Sequence, residues 1–238
     1  MKTIQGVKAI FFDVFGTTFD WHKSIYLETE TFAKQYKLSF DESIFTNKWR
    51  AGFRFLQSKV VTGERDYLSM DAIHMEVLTE LLNDLDIKHI NKDQLIDLNQ
   101  AWHRLAPWKD SISGLIELKH DFTISALSNG NLSMLVKLSK NSKIPWDSIL
   151  STEFFGTYKP DPKVYLGAIK LLEVQPQESL MVASHAHDLD GASSAGMRTC
   201  YVNRPNEFGT GIREDFGDLS RFDIVVESFE DISQFLLK

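Results

Sequence analysis

Ile10-Phe11-Phe12-Asp13-Val14-Phe15-Gly16-Thr17-Thr18-Phe19-Asp20 is an apolar run that delivers one carboxylate and then turns at a glycine. A short continuous apolar run closed by a turn signal reads as a strand buried on both faces. Outward from it, similar runs recur at 122–127, 149–152, 180–183 and 199–202, and stretches of helical period fill 132–140, 163–172 and 188–195. Strand and helix alternating in this way predict an α/β fold, a parallel sheet covered on both faces. The segment 21–100 differs, because it carries long helical patterns and almost no β-rich run. Ile73, Val77 and Leu81 fall at helical spacing with Leu78, Leu82 and Leu85 beside them, one apolar stripe. The expected architecture is a core domain of 1–20 and 101–238, split in sequence by a helical cap domain of 21–100.

The chain of 238 residues suits one domain with an insertion, and 43% hydrophobic with 25% charged residues is an ordinary globular balance. Lys plus Arg number 26 against 33 Asp plus Glu, a net charge of −7 with no basic block, which argues against a nucleic-acid partner. Cys200 has no second cysteine to pair with and fits a reducing compartment. No run approaches the roughly 18 apolar residues of a membrane span, and the first residues lack the apolar stretch of a secretory signal. A cytoplasmic protein without a membrane partner is the expectation.

Four segments carry chemistry. Asp13 falls at the carboxyl end of a strand, where open α/β sheets bind ligands; it reads either as a reactive carboxylate or as the cap of a glycine turn. Thr123-Ile124-Ser125-Ala126-Leu127-Ser128-Asn129-Gly130-Asn131 ends a strand in hydroxyl and amide groups and opens a helix, an anion cradle or an ordinary N-cap. In Tyr158-Lys159-Pro160-Asp161-Pro162-Lys163-Val164-Tyr165 a lysine precedes a rigid double-proline turn, placed to pair with Asp13 or simply to face solvent. Leu180-Met181-Val182-Ala183-Ser184-His185-Ala186-His187-Asp188 ends a buried strand in a polar cluster. Its two histidines have metal-pair spacing, but Leu189 stands where a further acid is needed and no other His or Cys cluster supplies a ligand, so no metal is expected.

In this order the four segments resemble the haloacid dehalogenase superfamily, specifically its type II branch of L-2-haloacid dehalogenases, nearly end to end. The resemblance implies a Rossmann-like core, a helical cap and an aspartate nucleophile. Phosphatases of the superfamily carry a second aspartate two residues after the nucleophile, because a leaving alkoxide must be protonated. Here that position is Phe15, and a halide leaves without a proton. The phosphatases also hold Mg²⁺ with an aspartate five residues before the position of Asp188, where this chain has Ala183. The resemblance therefore implies no cofactor and no metal.

It also implies roles. Asp13 would displace the halide and form an ester. Asp188 would orient or deprotonate the hydrolytic water, Lys159 would hold Asp13 ionised, and Thr17 would hydrogen-bond beside it. Tyr165 would position Lys159 or the substrate, and Ser128 and Asn129 would bind the substrate carboxylate or line the halide pocket together with Phe15. Trp49-Arg50 matches the family's Trp-Arg pair, whose arginine receives the halide; Arg54, one helical turn on, is a rival for that role. The usual Ser-Ser-Asn of the fourth motif is Ala183-Ser184-His185 here, so the family asparagine's role passes to His185, with Ser184 beside it. His187 replaces a Trp and Thr18 a Leu. These departures bear on substrate choice.

The resulting expectation is hydrolysis of short 2-haloalkanoic acids to 2-hydroxyacids, with a homodimer implied by the resemblance. Two rivals stay open from sequence: an Mg²⁺-dependent phosphatase of the same fold, and a catalytically idle binding module.

Overall fold

The computed structural model describes residues 3–209 and 217–237. Six strands, β1 (Ala9–Phe12), β2 (Thr123–Ser128), β3 (Ser148–Ser151), β4 (Ser179–Ala183), β5 (Arg198–Val202) and β6 (Ile224–Val226), form one parallel sheet in the order β3-β2-β1-β4-β5-β6. This is the Rossmann strand order, which reverses direction of winding at β1 and opens a crevice beyond its carboxyl end. Side chains of β1 alternate between two hydrophobic clusters, Ile10 and Phe12 in one and Ala9 and Phe11 in the other. Both faces of the strand are therefore buried, which is why its sequence is continuously apolar rather than alternating. β6 escaped the sequence reading because it has only three residues and Val225 is 41% exposed.

The helices are α1 (Trp21–Tyr36), α2 (Glu42–Val61), α3 (Met70–Asp84), α4 (Lys92–Asn99), α5 (Ser111–Lys119), α6 (Leu132–Ser142), α7 (Pro162–Leu171) and α8 (Ala186–Ser194). The first four form the inserted helical cap. Each begins at a side chain that accepts from an otherwise orphaned backbone N–H: Asp20 for α1, Asp41 for α2, Ser69 for α3 and Asn91, in a capping box with Gln94, for α4. Chain leaving for the cap and chain returning from it run side by side, since Phe19–Asp20 pairs antiparallel with Ala106–Pro107. In α3, Ile73, Val77, Leu78 and Leu82 are buried and Leu81 is partly so; Leu85, expected on the same stripe, sits at the C-cap and is exposed.

Aromatic packing joins the cap to β1. Trp102 stacks on Trp21 and on His74, at ring-centroid distances of 6.1 and 4.4 Å, and meets Phe15, Trp49 and Phe53 edge-on. Each such pair contributes about 0.5–1.5 kcal/mol beyond the area it buries. Phe15, a member of this cluster, lies two positions after Asp13.

Candidate active site

Asp13 lies directly after β1, at the switch point of the sheet. Its backbone is fixed on both sides, its N–H donating to the Val182 carbonyl at 3.0 Å and its carbonyl accepting from the Thr18 hydroxyl at 2.7 Å. The carboxylate is buried and held by three donors. Lys159 Nζ is 2.8 Å from Oδ1, the Thr17 hydroxyl donates to Oδ2 at 2.7 Å, and His185 Nδ1 lies 3.1 Å from Oδ2. Burial alone would raise this carboxyl's pKa; the charges of Lys159 and His185 outweigh it and hold Asp13 ionised far below the usual carboxylate range.

Lys159 bridges Asp13 and Asp188, pairing with Oδ2 of the latter. Burial disfavours its charge, yet the two carboxylates raise its pKa above the ordinary lysine value. Asp188, in the first turn of α8, accepts the Tyr165 hydroxyl at 2.6 Å on Oδ1. Burial, opposed by Lys159 and reinforced by Asp13, pushes the Asp188 carboxyl up. Two carboxylates sharing one ammonium are thus driven apart in proton affinity, the arrangement that separates a permanent anion from a group able to accept a proton.

These groups face a cavity of about 50 Å³. Asp13, Phe15, Asn129, Lys159, His185, His187 and Asp188 line it from the strand ends, and Arg50, Arg54, Gln57 and Met70 line it from the cap. Arg50 of α2 lies over the rings of Trp21 and Phe53, 5.1 and 5.0 Å from their centroids, so its guanidinium is oriented by π faces. Arg54 lines the same wall, and both arginines named from sequence therefore reach the cavity. Trp49 instead packs in the cap and donates its indole N–H to the His74 carbonyl at 2.9 Å. His187 is held neutral, its pKa pushed down to about 3 by burial and by the charges of His185 and Arg54.

Of the other sequence-named residues, Ser128, Tyr165 and Ser184 stand behind this wall, while Asn129 reaches it. Ser128 is buried and its hydroxyl oxygen accepts from Gly130 N–H at 3.2 Å, tightening the turn rather than lining the cavity. Asn129 accepts from Lys159 N–H at 2.9 Å and so ties the lysine's backbone to the end of β2. Tyr165 contacts Asp188 rather than the cavity. Ser184 donates its backbone N–H to the Thr17 hydroxyl oxygen at 2.9 Å. The candidate anion cradle at 123–131 is already filled from within: Leu132 N–H, at the start of α6, donates to Glu153 Oε2 at 2.6 Å. Asn131 meanwhile reaches across to α3, its amide donating to Asp71 Oδ2 at 3.0 Å. Among the described residues no group of three or more His, Cys, Asp or Glu side chains is placed to hold a metal ion.

Glu207 was not singled out from sequence. It is 2% exposed and accepts from Trp21 Nε1 at 3.0 Å and from the Ser184 hydroxyl at 3.2 Å, with His185 Nε2 at 2.8 Å and Arg50 at 4.0 Å. A Cβ on Gly16 would come within 2.2 Å of Glu207 Oε1, and Gly16 has φ +89°, so both space and backbone require glycine there. The loop after β5 gave no periodic or motif signal, and an isolated glutamate reads as a solvated one.

Comparison with known proteins places the chain in a family. The haloacid dehalogenase-like hydrolase family matches residues 7–196. (S)-2-haloacid dehalogenase 4A of Burkholderia cepacia is 30% identical over 207 residues, covering 84% of this chain and 85% of its own length. A crystal structure of a defluorinating L-2-haloacid dehalogenase superposes with a TM-score of 0.93 at 33% identity, covering 99% of this chain and 98% of that one. The L-2-haloacid dehalogenase of Xanthobacter autotrophicus with chloropropionic acid covalently bound gives a TM-score of 0.79 at 25% identity, over 96% and 97% of the two chains.

Proposed function

The chain belongs to the haloacid dehalogenase-like hydrolases, and from that premise we propose that it hydrolyses short (S)-2-haloalkanoic acids to 2-hydroxyacids and halide through an ester on Asp13. The observation that carries this reading is the pairing of an ionised, triply held Asp13 with Phe15 on the same cavity wall. A nucleophile is present, and no carboxylic acid stands two residues on to protonate a poor leaving group.

Asp13 Oδ1, which accepts from Lys159 alone among the three donors, is the less encumbered oxygen and attacks the carbon bearing the halogen from the side opposite the leaving atom. The C–O bond forms as the C–halogen bond breaks, the halogen takes the electron pair, and the stereocentre inverts. Arg50 or Arg54 receives the halide, and the other faces the substrate carboxylate. Water then attacks Cγ of the ester and gives a proton to Asp188. Charge gathers on Oδ2, where the Thr17 hydroxyl and His185 already point. As the tetrahedral centre collapses, Asp188 returns its proton to the departing hydroxyacid oxygen, and the second proton of the attacking water passes from the Asp13 carboxyl to solvent, which restores the Asp13 anion. Lys159 fixes both carboxylates, and Tyr165 fixes Asp188.

The cap of residues 21–100, the homodimer and the cytoplasmic location belong to the same reading, the last supported by the lone Cys200; sedimentation equilibrium reads the assembly. The chemical test is a single turnover of (S)-2-chloropropionate by excess enzyme in ¹⁸O-labelled water without added metal. Label is expected in the Asp13 carboxylate, recovered in its peptide, and absent from the first product. Label entering the first product directly overturns the ester.

A further inference from the structure

Glu207 is buried, charged and unused by the chemistry just described. It faces a histidine whose other ring nitrogen lies against the nucleophile, so the three groups form a line from Asp13 Oδ2 through His185 to Glu207 Oε1, with separations of 3.1 and 2.8 Å. Ionised carboxylates only accept hydrogen bonds, so a neutral imidazole between two of them must turn one lone pair toward an anion. An imidazolium donates to both. Glu207 is itself the acceptor for Trp21 Nε1 on one oxygen and Ser184 Oγ on the other, with the Arg50 guanidinium nearby, a set of partners that favours the anion.

We propose that Glu207 is a positioning residue that keeps His185 doubly protonated with Nδ1–H aimed at Asp13 Oδ2, and that it thereby sets the rate of ester hydrolysis rather than of ester formation. The inference rests on the dehalogenase reading and goes beyond it. In the resting enzyme the His185 proton stabilises the Asp13 anion, which gives no advantage to the displacement that consumes this charge. In the ester, Oδ2 is a neutral carbonyl oxygen. It regains charge only as water adds to Cγ, and a donor already aimed at that atom then lowers the barrier. Other groups around the ring fit this assignment. Glu207 and Asp13 outweigh burial and raise the His185 pKa to about 9, and His187, with its ring centroid 5.6 Å away, stays neutral. Arg50 and Lys159 add positive charge, but each is matched to a carboxylate, Glu207 and the Asp13–Asp188 pair.

The test is rapid-quench kinetics on Glu207→Gln, which keeps size and acceptor but removes the charge. The steady-state rate should fall about tenfold or more, as for other losses of an oxyanion donor. A burst of halide, one per active site, should precede it at nearly the wild-type rate, and the alkaline limb of kcat should move to lower pH. In a His185→Asn background the same change should cost less than about twofold, since interacting residues are not additive. A burst slowed as much as the steady state, an unmoved alkaline limb, or an undiminished penalty without His185 overturns the proposal. Nitrogen-15 NMR of the wild-type His185 ring gives a reading that needs neither variant nor turnover. Two protonated nitrogens at neutral pH support the proposal, and one protonated nitrogen ends it. Failure of the wild type to release halide would instead remove the dehalogenase function while leaving this proton count intact.

Discussion

The two walls of the cavity are built on different physics. At the strand ends Asp13, Lys159, Asp188, His185 and Glu207 are each less than a tenth exposed and hold one another by charge, with every anion matched to a cation. On the cap side the organising contacts are rings: Trp21, Trp49, Phe53, His74 and Trp102 pack together, and Arg50 is laid over two of them. The groups proposed to make and break bonds thus sit at the carboxyl edge of the sheet, with Asp13 directly after its central strand. The groups proposed to select and receive ligand sit on helices joined to the sheet by a narrow two-strand neck.

Substitutions can break this division or sharpen it. The largest effect belongs to Asp13→Asn, which removes the proposed nucleophile and should lower kcat by about 10⁴-fold or more; steady-state halide release reads it. Next is the pH response of the charged wall. The pKa of His185 is raised from 6.5 to about 9 in the fold, so its stabilising contribution is complete below pH 6.5 and is lost as pH rises through about 9. The loss should be of order 3 kcal/mol between those limits, and urea titrations near pH 6 and pH 10 should show it in the wild type and not in His185→Asn.

On the cap side, Arg50→Ala should reduce kcat/KM by about 10²-fold, with lysine at that position restoring only part because it lacks the planar fork. The deficit should appear in single-turnover halide release and not in the hydrolytic step, the mirror image of Glu207→Gln. Smallest is Gly52→Ala in α2. A Cβ there would lie 2.4 Å from Val77 Cγ1 of α3, and Val is stiff at χ1. Overpacking of about 1–3 kcal/mol should exceed the roughly 1 kcal/mol of helix propensity gained, giving a modest net loss of stability in thermal unfolding with the kinetics of ester hydrolysis intact.

The two walls also differ in how far they could be read from sequence. Asp13 and Asp188 follow recognisable strand ends and Lys159 precedes a proline turn, and local pattern places such residues at the crevice of an α/β sheet. Arg50 and Arg54 share a helix face, and sequence spacing alone does not rank them; the rings of Trp21 and Phe53, from two different helices, orient Arg50. Ser128 is a different case. A serine at a strand end suits a ligand contact, but its hydroxyl closes the following turn. Glu207 lies 22 residues beyond His185 in a loop, and only tertiary folding brings it under the imidazole.

Gly16 and Glu207, so distant along the chain, constrain each other asymmetrically. The loop can exchange its acid for a shorter residue while the turn stays as it is. The turn cannot acquire a side chain first, because the carboxylate already fills that space, and even afterwards the left-handed backbone penalises anything but glycine. Divergence at this pair therefore runs in one order, and a library that randomises position 16 alone should return glycine among its active clones.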